Sequence, residues 1–135
     1  MNWSYISGFF DADGSITLAK VKGNNQKTIQ LSFHNTKLEI LEAIQAFIYL
    51  KLGIKGFIAK KRAKKDNHAD SYDLKYVYLT KCLSILKHIN TLHPLKLHRK
   101  TVAFKFAIVT PRNGKYTDEI LAKRDKLVQE FFKEG

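Results

Sequence analysis

Acidic residues, cysteine and proline are all scarce in this chain of 135 residues, and each scarcity narrows what it can be. A single cysteine, Cys82, excludes a disulfide framework and a cysteine-rich zinc module. His88, His93 and His98 share no helical face and have Pro94 among them, so they make no zinc site either. Two prolines and seven glycines leave no Pro- or Gly-rich linker, and one domain over residues 1–135 is expected. No apolar run reaches the ~18 residues of a membrane span. The first residues, Met1-Asn2-Trp3-Ser4-Tyr5, lack a charged-then-apolar signal pattern. An intracellular protein is therefore expected, cytoplasmic in a prokaryote, with organelle or nucleus open otherwise. Membranes are not expected partners.

The scarcest commodity is negative charge. Twelve acids stand against 24 bases, a formal net charge of +12. The apolar share of 44% is too high for a disordered basic tail. Between Asp13 and Glu39, between Glu42 and Asp66, and between Asp73 and Asp118 there is no acid at all. The last two stretches hold seven and nine bases. Acid-free stretches of this kind in a folded domain are the footprint of phosphate-backbone binding, without distinguishing DNA from RNA.

Periodicity orders the chain. Residues 3–12 read as a helix stopped by Gly14, and residues 15–22 as a strand that ends or bulges near Ala19. Ile29, Leu31 and Phe33 alternate with Thr28, Gln30, Ser32 and His34, which predicts a half-buried antiparallel strand with a polar outer face. Thr36-Lys37-Leu38-Glu39 fits a capping box for a helix that runs to about Lys51 and is closed by Gly53. Residues 54–62 and 71–79 form a second strand pair. Thr80 caps a further helix, Pro94 precedes an amphipathic stretch to Val109, and Thr117 opens the last helix. The class is α+β, in the order α-β-β-α-β-β-α with two extra C-terminal helices.

Ile6-Ser7-Gly8-Phe9-Phe10-Asp11-Ala12-Asp13-Gly14 carries the chemistry. It sets two carboxylates where an apolar helix ends, at the negative end of its dipole, a placement that a cation would offset. Oxygen donors there suit Mg²⁺. A calcium loop does not fit, because the glycine comes too early and no Glu stands at its twelfth position. A simple turn at Asp13-Gly14 is the bland alternative.

The stretch resembles the signature of the LAGLIDADG homing endonucleases. Gly8 and Asp11-Ala12-Asp13-Gly14 match it, while Ile6, Ser7, Phe9 and Phe10 replace Leu, Ala, Leu and Ile. The element order over about the first hundred residues, Asn35-Thr36 and the Pro94–Lys100 segment look like family features too. The resemblance implies the LAGLIDADG fold with an antiparallel DNA-binding saddle. It further implies a site-specific double-strand DNA endonuclease, dependent on Mg²⁺ (Mn²⁺ or Ca²⁺ could occupy the same site). Asp13 would ligate the metal with the Ala12 carbonyl, and Asp11 would serve the turn. A catalytic base-rich position falls among Lys96, His98, Arg99 and Lys100, of which Lys100 is preferred and Arg99 is the runner-up. Lys37 stands where relatives often carry Gln.

One signature per chain implies a two-fold homodimer, joined through Tyr5, Ser7, Gly8, Phe9 and Asp11. On the saddle, Thr17, Thr28, Gln30, Ser32 and His34 would face bases, as would Lys60, Arg62, Asp73 and Lys75. Lys27, Lys61, Lys64 and Lys65 would bind phosphates, and Lys20 and Lys22 complete the DNA-binding set. An RNA-binding splicing cofactor and a catalytically silent DNA binder are the competing readings.

Overall fold

Asn2 starts the fold: its side chain accepts a hydrogen bond from the Tyr5 N–H at 2.8 Å, capping α1 (Trp3–Asp13). The computed structural model describes residues 1–20, 26–61, 69–111 and 114–133. Lys22, Arg62, Lys64 and Lys65, all expected on nucleic acid, lie outside the described residues. After α1 come β1 (Gly14–Lys20), β2 (Lys27–Asn35), α2 (Leu38–Leu52), β3 (Phe57–Lys61), β4 (Ser71–Val77), α3 (Leu79–Leu86), α4 (Pro94–Ile108) and α5 (Asp118–Phe131). This is the expected order. The chain divides into two compact units, Met1–Thr91 and Leu92–Gly135.

In the first unit a four-stranded sheet runs in the order β1-β2-β4-β3, every neighbour antiparallel. The β1–β2 ladder is regular from Gly14↔Phe33 to Lys20↔Lys27, so the strand ends at Lys20 without a bulge. Ile16, Ile29, Leu31, Phe33, Leu74 and Tyr76 share the inner face and are buried. Ile6 and Phe10 of α1, Leu41, Ile44 and Ile48 of α2, and Cys82, Ile85 and Leu86 of α3 complete the core. Each such large apolar side chain contributes about 1.5–3 kcal/mol when fully buried. Cys82 donates to the carbonyls of Ile29 and Tyr76, and burial pushes its thiol up to about 12, so it packs rather than reacts.

Three local expectations are corrected. Gly14 is extended, with φ −102, so no left-handed cap is involved. Space selects the glycine: a Cβ there would lie 2.7 Å from the Phe10 ring and 2.8 Å from its carbonyl oxygen. At α2 the Thr36 capping box does not form. Lys37 is the N-cap, without a side-chain cap bond, and the Asn35 side chain accepts from the Lys37 N–H at 2.8 Å instead. At α3 the cap is Tyr78, not Thr80, and its φ of 80 is a strained value for a bulky residue. Gly53 does close α2 in the left-handed region, at φ 69.

In the second unit α4 buries Val102, Ala103 and Phe106, and α5 buries Leu127 and Phe131. Arg124 is buried between the rings of Phe106 and Tyr116, at 5.3 and 5.2 Å, and donates to the Thr110 hydroxyl. Thr117 caps α5 as expected, accepting from the Ile120 N–H at 3.2 Å. No helix among the described residues is long and apolar enough to cross a membrane.

Candidate functional site

Helical spacing divides α1 into three stripes. Ile6 and Phe10 enter the sheet core. Trp3, Ser7 and Asp11, four residues apart, pin the helix to the segment after α3. The Trp3 ring stacks on His88 at 4.6 Å, the Ser7 hydroxyl accepts from the Asn90 N–H at 3.0 Å, and Asp11 accepts from the Thr91 hydroxyl. Ser4, Tyr5, Gly8 and Ala12 form the third stripe and are exposed. A Cβ at Gly8 would meet nothing within 4 Å. This corrects the expected helix-pairing surface. Ser7 is 7% exposed and Asp11 is tied to its own chain, so neither lies on the open stripe. Phe9 is half-buried, 6.2 Å from the Phe33 ring. Of the expected residues Tyr5 and Gly8 lie on the exposed stripe, beside Ser4 and Ala12, for which the signal was the 3.6-residue period.

The same rotation separates the two carboxylates of the signature. Asp11 has its hydroxyl partner, whereas Asp13 is exposed at the last position of α1, directly ahead of β1. Its carboxylate makes no hydrogen bond or ion pair with a described residue. The last carbonyls of a helix have no amide partners within it, so the Ala12 carbonyl and the Asp13 carboxylate form a small set of hard oxygen donors. Among the described residues no three His, Cys, Asp or Glu side chains gather as a complete metal site.

Beyond Asp13 the sheet presents its outer face. The pairs Ser15↔Ser32, Thr17↔Gln30 and Ala19↔Thr28 place the expected polar row there, followed by His34↔Asp73 and Ser32↔Lys75. The Ser15 and Ser32 hydroxyls are 2.6 Å apart. Strand parity corrects β3. Phe57, Ala59 and Lys61 share the outer face, so Lys60 falls on the inner side with Ile58, past the edge of the core. There it pairs with Asp70 at 3.2 Å. Lys61, expected on a phosphate, points to the outer face and meets Asp73 at 2.9 Å. Lys20 and Lys27 stand directly opposite each other at the end of the β1–β2 ladder, on the inner-face parity of Ile16 and Ile29 and not on the outer face where they were expected.

Asp73 is on the outer face as expected, but it is 5% exposed and its two carboxylate oxygens are engaged by protein donors. His34 Nδ1 lies 2.7 Å from one and Lys61 Nζ lies 2.9 Å from the other. Sequence reasoning missed this cluster, since no local signal sets which residue of β4 opposes His34. Burial by itself would raise the Asp73 carboxyl; the Lys61 and His34 hydrogen bonds and the Lys61 charge outweigh it and hold the group below the usual carboxylate range. A depressed folded-state pKa stabilises the fold fully above the unfolded value and loses that contribution as pH falls through the folded one. The melting-temperature gap between wild type and Asp73→Asn should therefore be widest near neutrality and shrink below about pH 4. Thermal melts across pH 2.5–7 check this; a gap independent of pH would contradict it.

Lys100 and Arg99 belong to α4, in the second unit. The Arg99 guanidinium lies 4.8 Å from the Phe131 ring and 6.0 Å from the Phe132 ring, where it serves packing on α5. Lys100 is half-buried, and burial lowers its ammonium from the usual lysine range. His98 is spent on the Glu130 carbonyl at 2.7 Å.

The LAGLIDADG-like domain family matches residues 2–91. No curated protein matches the sequence. Among solved structures, the archaeal intron-encoded homing endonuclease I-Vdi141I, complexed with DNA, is similar with a TM-score of 0.66 and 22% identity over 98% of this chain and 83% of that one. The homing endonuclease I-CvuI in complex with its target is similar with a TM-score of 0.65 and 19% identity over 97% and 82%. I-GzeII, a LAGLIDADG homing endonuclease with its DNA target, gives 0.69 and 17% over 100% of this chain but 45% of that chain. By its match over residues 2–91 the chain belongs to the LAGLIDADG-like domain family, and its fold is that of solved LAGLIDADG homing endonucleases.

Proposed function

We propose that the protein is a site-specific double-strand DNA endonuclease that hydrolyses phosphodiesters as a homodimer on a nearly palindromic site. The observation that carries this reading is Asp13, an exposed carboxylate without a partner among the described residues, held at the negative end of α1 directly ahead of the polar sheet. The donor chemistry fits a hard divalent cation, Mg²⁺ first and Mn²⁺ or Ca²⁺ as substitutes. Asp13 and the Ala12 carbonyl would hold it; a second copy of the chain and phosphate oxygens would complete the coordination. Such an ion supplies Lewis acidity at the phosphodiester and makes water more acidic. I-CvuI has been crystallised with its own target in the presence of calcium and with the I-CreI target in the presence of magnesium, which agrees with a divalent ion at this donor set.

Lys100 is assigned to share the negative charge that builds on the phosphorus oxygens during hydrolysis. Arg99 is the weaker candidate, because its guanidinium already lies over the rings of α5. The outer face reads the duplex. Thr17, Thr28, Gln30, Ser32, His34 and Lys75 address base edges, with Gln30 suited to the paired donor and acceptor of adenine. Lys61 on that face, and Lys20 and Lys27 from the end of the ladder, address phosphates. Two lysines set opposite on a ladder repel each other, and an anion between Lys20 and Lys27 would remove that cost. The open stripe of α1 joins two copies, which brings one Asp13 to each strand.

The test is incubation of supercoiled DNA, carrying the uninterrupted junction of the sequences that flank the gene, with wild-type protein and Mg²⁺. Linear product that disappears with EDTA is expected. Binding should weaken by about 10³-fold or more between 50 and 200 mM salt. Tight RNA binding with no cleavage under any divalent ion would replace this reading by the splicing one. DNA binding without cutting would leave only the silent binder.

A further inference from the structure

We propose that Asp73 is a positioning residue that orients the ring of His34 and fixes its tautomer, so that Nε2 presents a lone pair to the groove and selects a base bearing an exocyclic amino group. The inference rests on the reading of the outer sheet face as the DNA-binding one and adds to it a chemical specificity at one position.

His34 and Asp73 are ladder partners on β2 and β4, and Nδ1 lies 2.7 Å from Oδ1. The second carboxylate oxygen lies 2.9 Å from Lys61 Nζ. The side chain of Asp73 is 8% exposed, against 48% for His34, so the acid forms the floor and the imidazole reaches outward. Both neighbours are donors, and they keep Asp73 ionised. An ionised carboxylate only accepts, so the hydrogen of the 2.7 Å contact belongs to Nδ1. A ring that carries one proton then has none on Nε2. Nε2 makes no hydrogen bond with a described residue, and it lies on the side of the ring away from Asp73.

A lone-pair acceptor facing the major groove has two complements, the N6 amino group of adenine and the N4 amino group of cytosine. Guanine and thymine offer acceptors there and would leave Nε2 facing another lone pair. Lys61 holds the carboxylate from the opposite side, so Asp73 does not swing out to take the amino group itself.

The experiment is selection from a pool of duplexes randomised across the half-site, paired with ¹⁵N NMR of the imidazole, which reads how many protons the ring carries and on which nitrogen. Wild-type protein should prefer adenine or cytosine over guanine or thymine by about tenfold at one position of the contacted strand, the size of an ordinary single-pair mismatch effect. Its NMR signature should be that of the Nδ1–H tautomer. His34→Ala should flatten that position and no other. Asp73→Asn, which can accept from or donate to the ring, should mix the tautomers and flatten the same position. Unchanged selectivity in His34→Ala or an Nε2–H tautomer in wild type would each overturn the proposal. If wild-type protein retains no duplex from the pool, the DNA reading itself fails, and the tautomer measurement still reports on the His34–Asp73 pair separately.

Discussion

Asp13→Asn should bind target DNA as tightly as wild type and cut it at least about 10³-fold more slowly, because losing a metal ligand forfeits several kcal/mol of transition-state stabilisation. The substitution keeps the shape and removes the charge. Folding should not suffer. Asp13 is exposed, has no hydrogen bond to a described residue, and as an anion opposes the helix dipole. The amide should thus leave the melting temperature unchanged or slightly raised. Single-turnover cleavage beside a gel-shift titration separates the two quantities. Cleavage within tenfold of wild type would remove Asp13 from the reaction. Asp11→Asn makes the contrast sharper, since Asp11 accepts from Thr91 and its loss should show in stability before activity.

Gly8→Leu should convert a dimer into folded monomers that have lost double-strand cutting. Within the chain a Cβ at Gly8 meets nothing within 4 Å, and glycine is the poorer helix former by about 1 kcal/mol relative to alanine. The monomer therefore gains from any helix-favouring residue there, and the reason to keep glycine lies outside it. Close approach of two helix backbones is such a reason, and a leucine side chain on the open stripe would prevent it. Sedimentation velocity with and without DNA, together with a thermal melt, checks the prediction. A Gly8→Leu protein that still sediments as a dimer and linearises plasmid would place the seam elsewhere. A wild type that is monomeric with and without DNA would refute the symmetric arrangement altogether.

The element order was legible because its signals are local. The alternation of Ile29, Leu31 and Phe33 with Thr28, Gln30, Ser32 and His34 specifies a strand with one wet face, and all three apolar residues are buried as it requires. Gly53 at positive φ and Thr117 at its cap behave as their chemistry dictates. Local reasoning failed where packing or register, and not residue type, decided the outcome. Gly14 reads as a stop signal, yet the Phe10 ring excludes a side chain there. Thr36 and Thr80 are good capping residues that were passed over, for Lys37 and for the strained Tyr78. Lys60 and Lys61, as neighbours on a strand, must face opposite ways, and only the β3–β4 register decides which of them is outward.

By itself, the sequence determined that this is a basic α+β domain with a carboxylate pair ending its first helix, since charge, periodicity and motif are properties of neighbouring residues. Only the tertiary structure decided which carboxylate stays available. Asp11 and Asp13 are chemically the same, but the helical turn delivers one to Thr91 and leaves the other exposed. Likewise strand pairing alone placed Asp73 under His34, across thirty-nine residues of chain. Contacts of that separation follow from packing and register, which no window of the sequence contains.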